Sequence, residues 1–351
     1  MGIERTVRLS FSADARAAGT HTNLSAVRSD GPVLWVAGDE TATVERLVAD
    51  ADGYGGQTSH RLADLVDLPG GDADEEADVE GLARHGDFLW AVGSHSLRRK
   101  RVKDHHEGDK ALRRLARVSG QANRQVLVRI PVATVDGLPT PVRELTVDGV
   151  EHRAAVFGAH GEDLRDLLAD DEHLAPFLPI PGKDNGLDVE GIAVAGDRVL
   201  LGLRGPVLRG WAVVLELRPE TDPDHPRRLR LRPFPDGRRY RTHVLRMAGL
   251  GVRDLCPDGD DLLVLAGPTM DLDGPVRVYR WHDALTAEAP QVVRDDALTR
   301  ELDLPYGDGD DHAEGIGLLG SDRLLVVYDS PAPGRLHDHG VDADVVRLPG
   351  R

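Results

Sequence analysis

Three glutamates recur in one sequence context: Asp78-Val79-Glu80-Gly81-Leu82, Asp188-Val189-Glu190-Gly191-Ile192 and His312-Ala313-Glu314-Gly315-Ile316. Carboxylates gathered at one place repel one another, so gathering them demands compensation. A hard divalent cation supplies it through oxygen ligands, and Ca²⁺ or Mg²⁺ is the cofactor these residue types imply. Glu80, Asp188, Glu190 and Glu314 are the candidate metal ligands. His95 and His312 are the candidate catalytic proton carriers, because imidazole titrates near neutrality. Arg204, Arg253, Arg98 and Arg99 are the candidate substrate-binding residues for an anion. Two structural readings stand beside this chemistry. Arginines such as Arg204 and Arg253 could neutralise the acids instead. Alternatively, each glutamate could bond the neighbouring repeat while its glycine lets the backbones approach closely. His312, standing where the other copies carry Asp, breaks the repeat, although a channel-wall histidine is the ordinary role for such a residue.

The elements that must hold these residues repeat as well. Two weaker copies, Leu24-Ser25-Ala26-Val27 and Val252-Arg253-Asp254-Leu255, fit the same frame. After every copy comes a polar turn and then an apolar run: Val33 to Ala37, Phe88 to Val92, Val199 to Leu203, Leu262 to Ala266 and Leu324 to Tyr328. A third β-like segment follows each, at Thr43 to Val48, Gln125 to Ile130, Ala212 to Leu217, Val276 to Trp281 and Asp344 to Leu348. Fourth strands are fainter, with Arg61 to Val66, Val142 to Val147 and Arg228 to Phe234 as candidates. Four antiparallel strands repeated radially make a propeller blade. The fold class is therefore all-β: a single closed β-propeller spanning 1–351, with five four-stranded blades. The last copy runs out after its third strand. Thr6 to Phe11 can supply the fourth and close the ring.

Motif positions 25, 80, 190, 253 and 314 are separated by 55, 110, 63 and 61 residues. The long gap holds a basic helical insertion near 97–121 and a second helical insertion near 149–186. In the second, Glu162 to Leu174 reads as a helix with Leu164, Leu167, Leu168 and Leu174 on one face. A sixth, degenerate blade in this gap is the alternative.

In such a ring the inner strand of each blade begins where the second strand ends. Glu80, Glu190 and Glu314 should therefore meet Asp39-Glu40, Ser94-His95, Arg204, Gly267 and Asp329 at one mouth of the central channel. The basic insertion carries nine cations between Arg98 and Arg117 and is rooted beside His95. It reads as a flap over an anionic substrate, or as a helical hairpin salt-bridged to the acidic body. The acidic loops Gly70 to Glu76 and Tyr306 to Asp311 lack the EF-hand frame and read as solvated turns. No G-x-S-x-G, H-E-x-x-H or P-loop pattern occurs.

Of the 351 residues, 60 are acidic and 43 basic, and the net charge of −17 argues against nucleic acid as a partner. The lone Cys256 excludes an intramolecular disulfide and a multi-cysteine zinc site, and its setting suits a buried, inert thiol. No run approaches the roughly 18 apolar residues of a membrane span. The first residues lack a signal-peptide pattern, so the expected location is cytoplasmic.

Leu89 to Lys100, Lys183 to Gly191, Gly202 to Pro206 and His312 to Gly315 together resemble a bacterial family known as domain of unknown function 3616. The resemblance covers nearly the whole chain and implies a propeller, without an activity. More distantly, the Glu-Gly-apolar repeat is similar to phytase-like esterase and calcium-dependent lactonase propellers, which implies a metal at the channel mouth. Two functions follow as expectations. One is a metal-assisted hydrolase of a small anionic ester or lactone. The other is a non-catalytic propeller that binds a ligand or protein.

Overall fold

Each apolar run identified above is a strand buried on both faces, which explains why it reads as continuous rather than alternating. Val33–Gly38 is buried at every position, and Asp261–Gly267 at all but its first. The computed structural model describes residues 2–70, 75–159 and 161–349. In it the long strands sort by pairing into four-stranded antiparallel sets. The first comprises Leu24–Asp30, Val33–Gly38, Thr43–Ala49 and Gly53–Arg61. The second comprises Val79–His85, Phe88–Gly93, Leu127–Val135 and Leu138–Pro141, with Ala155–Phe157 completing the outer edge. The third is Asp188–Ala195, Arg198–Gly205, Trp211–Leu217 and Tyr240–Arg246. The fourth is Gly251–Asp258, Asp261–Gly267, Val276–Trp281 and Leu298–Leu304. The last set joins His312–Leu319, Arg323–Asp329 and Gly340–Arg347 to the N-terminal strand Ile3–Ser10.

The sets stand radially. Their inner strands touch in cyclic order, and the strand from Leu24 meets both the strand from Val79 and the strand from His312. Hydrophobic clusters fill the spaces between neighbouring sets rather than one common centre. One packs Trp35 and Ala37 against Leu82 and Leu89; another packs Trp90 and Val92 against Ile192 and Leu201. Burial between sheets is thus the main stabilising term, and every sheet contributes two faces to it.

The motif glycines make this packing possible. A Cβ on Gly191 would lie 3.0 Å from the Asp254 carbonyl carbon and Leu255 Cγ of the next inner strand. Gly191→Ala should therefore cost about 1–3 kcal/mol in urea denaturation. Gly334→Ala, with nothing within 4 Å of the added carbon, should cost close to nothing. Equal effects at both positions would refute the close-approach explanation.

The outer elements differ from the sequence reading. The fourth strand of the first set is Gly53–Arg61, and Leu62–Leu65 is a helical turn. Glu144–Val147 pairs with Val150–Arg153 as a separate hairpin, and Leu229–Leu231 pairs with Pro219–Thr221. None of the three fourth-strand candidates holds, because outer strands face solvent and lose the apolar signal that marks the inner ones. Between the second and third sets the described residues hold only such small ribbons and short turns, with no further four-stranded set. The helix expected over Glu162 to Leu174 is one turn, Leu164–Leu167, with Asp163 and Asp166 forming a capping box. It stops before Asp170-Asp171-Glu172, whose charges oppose the negative end of a helix. The Asp171 carboxylate instead accepts from the His173 and Leu174 amides. Leu164, Leu168 and Leu174 still reach the core together.

The basic insertion is an arm: a two-residue ribbon, Arg98–Arg99 with Val118–Ser119, carrying the helix Gly108–Leu115. Cys256 is buried and burial pushes its thiol up to about 11, so it is inert at neutral pH. Among the described residues no helix is long and apolar enough to cross a membrane.

Candidate functional site

Residues at the start of each inner strand pair with residues at the end of the second strand: Leu24 with Gly38, Val79 with Gly93, Asp188 with Gly205, Gly251 with Gly267 and His312 with Asp329. At this end every pair carries a β-bulge. The extra residue is Ser25, Glu80, Glu190, Arg253 or Glu314, the position that carries Glu in the three strong copies of the motif. A bulge re-aims a side chain and ends regular pairing. The repeat is thus a device that turns one residue per inner strand towards a shared place. Arg204 is a second bulged residue in the third set, opposite Asp188 and Val189.

The guanidiniums take up part of the acid. Arg204 Nη1 lies 2.8 Å from Glu190 Oε1, and Arg204 also contacts Asp188. Arg253 lies 3.4 Å from Glu190 Oε2 and contacts Glu314. Arg124, on the turn after the basic arm, donates to Asp78 at 2.6 Å and contacts Glu76. Asp78 has φ 51°, a strained region that Asp tolerates better than most residues.

Three acids are left over. Asp39, Glu80 and Asp329 have no Arg or Lys within ion-pair distance among the described residues. Burial, reinforced by Glu314 and other carboxylates, pushes Asp39 up to about 7. Burial and Glu314 do the same to Asp329, against Lys183, which pulls it down. Glu80 stands well above the usual carboxylate range for the same first reason, with Asp78, Glu190, Asp39 and Glu314 adding repulsion. Ligand atoms of Asp39, Asp78 and Glu80 lie within 4.8 Å of one another, and Asp39 Oδ1 is buried without a protein partner. An oxygen-only set of this kind suits a hard cation, calcium or magnesium rather than zinc or copper.

Beneath the mouth, the axis is closed. Arg28 donates to Asp254 through Nη1 at 2.8 Å and Nη2 at 2.6 Å. It also donates to the carbonyls of Val27, Ile316, Leu255 and Ile192, three of which lie on other inner strands. Asp254 accepts in turn from the Ile316 and Leu255 amides. The channel is therefore a cup with one opening.

Residues 23–344 match the family described as Protein of unknown function (DUF3616). The chain belongs to this family. No curated protein matches the sequence. Among solved structures, glutaminyl cyclase from Myxococcus xanthus is similar at 10% identity, covering 99% of this chain and 96% of that one, with TM-score 0.42. PQQ-bound aldose sugar dehydrogenase from Streptomyces coelicolor is similar at 14% identity, covering 99% and 97%, with TM-score 0.42. The Cps50 (Swd1) β-propeller domain from Myceliophteria thermophila is similar at 10% identity, covering 98% of each chain, with TM-score 0.37.

In this DUF3616 member the residues singled out from sequence are distributed unevenly. Asp188, Glu190, Glu314, Arg204 and Arg253 form one ion-paired group, and Glu80 stands apart from these ion pairs with Asp39 and Asp78. His95 does not join it: the side chain is fully buried, Arg165 donates to its carbonyl, and burial pushes the imidazole down to about 3. His312 turns to the loop beyond the mouth, with Nε2 3.2 Å from Asp273 Oδ1. Arg98 pairs with Glu76 and Arg99 with Asp184, so the root of the arm is salt-bridged to the acidic body. Of the first acidic loop, residues 71–74 lie outside the described residues. In the second, Asp311 is no solvated turn residue: it accepts from the Ala332 amide and from Arg335. Arg124 and the Arg28–Asp254 plug were not singled out, since neither carries a local motif. The plug's signal was a charged residue inside an otherwise apolar inner-strand frame, visible for Arg28 three positions after Ser25; Arg124, on a turn, had none.

Proposed function

We propose that the cup binds a divalent cation through Asp39, Asp78 and Glu80 and serves hydrolysis of a small anionic ester or lactone. The observation that carries this reading is the imbalance at the mouth. Among the described residues, Asp39, Asp78, Glu80, Asp188, Glu190, Glu314 and Asp329 face only Arg124, Arg204 and Arg253 at close range. Bound there, a cation would supply Lewis acidity toward a carbonyl or phosphoryl oxygen. Arg124 fixes the orientation of Asp78. Arg204 and Arg253 hold Glu190 and keep its charge from the cation, and their remaining N–H groups can meet an anionic substrate. Asp329 stands at the mouth with its carboxyl pushed up to about 7, which suits a proton acceptor.

The test uses the purified chain with and without chelation, p-nitrophenyl phosphate and a simple lactone as probes, and the metal content of each sample. Turnover should vanish on chelation and in Glu80→Gln, whereas Asp329→Asn should retain metal but lose about a hundredfold in kcat. Turnover that survives chelation and Glu80→Gln refutes the reading. Cation and anion binding without turnover would favour a non-catalytic propeller. The exposed Leu112 and Leu115 beside Lys110 and Arg113 on the arm support a protein partner in that case.

A further inference from the structure

A second site lies at the opposite end of the blades, between the second and third sets. A cleft of about 310 Å³ opens there beside the hairpin turns of His85 and Gly196, lined on one side by Phe88, Trp90 and Arg129 and on the other by Thr221. The sheet builds it directly, because Arg129 is the cross-strand partner of Trp90. The Arg129 guanidinium lies 4.6 Å from the Phe88 ring centroid and 5.8 Å from that of Trp90.

What distinguishes Arg129 is the absence of an acid. Three other arginines stack on aromatic rings: Arg218 and Arg241 on Phe234, and Arg335 on Tyr328. Each has carboxylate partners, namely Asp197 for Arg218, Glu216 and Asp236 for Arg241, and Asp311 and Asp344 for Arg335. Arg129 has none among the described residues. It donates only to Thr221 Oγ1, at 2.5 Å, and its buried Nε has no partner. The acids that line the cleft are already neutralised, Asp197 by Arg218 and Arg232 and Glu220 by Arg230. The cleft therefore presents, in Arg129, a partly desolvated cation on an aromatic bed with no carboxylate partner among the described residues.

We infer that this cleft binds a small organic carboxylate, its oxygens on the free Nη hydrogens of Arg129. The planar fork of a guanidinium matches a carboxylate, and stacking holds the fork in one orientation. The volume is at the small end of ligand pockets, which limits the occupant to a compact molecule. The apolar walls given by Phe88, Trp90, Val194 and Val199 favour a ligand with a hydrocarbon body over a bare inorganic ion.

The site is independent of the mouth, and the full chain can be tested with the mouth left intact. Benzoate, its neutral isostere benzamide and inorganic phosphate are titrated by calorimetry and by tryptophan fluorescence. Saturable binding of benzoate at millimolar concentration is expected, with benzamide and phosphate at least about tenfold weaker. Arg129→Gln should lose about tenfold for benzoate and bring it level with benzamide. In the unmodified chain, benzoate should also slow phenylglyoxal modification of Arg129, read by mass spectrometry, which tests the site if the variant fails to fold. No saturable benzoate binding, or binding unchanged by Arg129→Gln with no protection of Arg129, overturns the inference. Phosphate binding more tightly than benzoate overturns the choice of carboxylate.

Discussion

Stripped of divalent cations, the protein is expected to lose stability as pH rises from about 6.5 to about 8.5, by roughly 2 kcal/mol. Burial and neighbouring carboxylates push Asp39 and Asp329 up to about 7, and Glu80 well above the usual carboxylate range. In the unfolded chain all three titrate in the ordinary carboxylate range. An acid whose folded pKa is raised contributes stability that is fully present below its unfolded pKa and is lost as pH climbs through the folded value. The window matters, because the half-buried His60 and the buried His95, pushed down to about 4 and about 3, are neutral in both states above the ordinary imidazole pKa. They oppose the trend only below it. The melting temperature without cation should therefore fall by roughly 3 °C across the window. Adding Ca²⁺ or Mg²⁺ should reverse the fall, since a cation favours the ionised acids; at a thousand times its Kd it contributes about 4 kcal/mol. Asp39→Asn should flatten the pH slope and reduce the cation's gain together. A melting temperature that declines equally with and without cation would falsify the metal centre.

Removing the axial carboxylate should do more damage than any change at the mouth. In Asp254→Ala the Arg28 guanidinium stays buried among carbonyls with no counter-charge, and the Ile316 and Leu255 amides lose their acceptor. Breaking a buried ion pair from one side costs about 3–5 kcal/mol, a large share of the roughly 5–15 kcal/mol that holds a typical domain together. Urea denaturation of the variant measures it directly. The double variant Arg28→Met with Asp254→Leu should recover part of the loss, because replacing both charges removes the uncompensated one. A single-variant loss under about 1 kcal/mol would show that the plug is not buried as described.

The inner architecture was legible in the sequence because it is written in two independent signals. The Glu-Gly frame marks the bulge, and the apolar run at a fixed offset marks the doubly buried second strand. Val276–Trp281 is a third strand at the limits its composition suggests. Outer strands were opaque. Gly53–Arg61 has four residues in Gly-Tyr-Gly-Gly and a solvated edge, so nothing in its composition demands a strand; its pairing with Thr43–Ala49 does. The same divide runs through the site. Glu80 and Glu190 announced themselves by repetition, but which acids keep a free charge depends on which arginines reach them. Arg124 reaches Asp78 from 46 residues away in sequence, a pairing no local spacing encodes. His95 stands at a strand end near the mouth, yet the second insertion buries it under Arg165; proximity along the chain was a poor guide to the direction of a side chain.

The pairing of Ile3–Ser10 with Gly340–Arg347 sets an order of events in synthesis. The strand that emerges first has its principal partner among the last to be made, so the ring stays open through nearly the whole of translation. Its short parallel contact with Gly53–Arg61, Arg8 to Gly53 and Leu9 to Tyr54, offers an early berth on a neighbour already at hand. Closure of the final sheet requires Gly340–Arg347 to reach Ile3–Ser10, whichever neighbour that strand has met before.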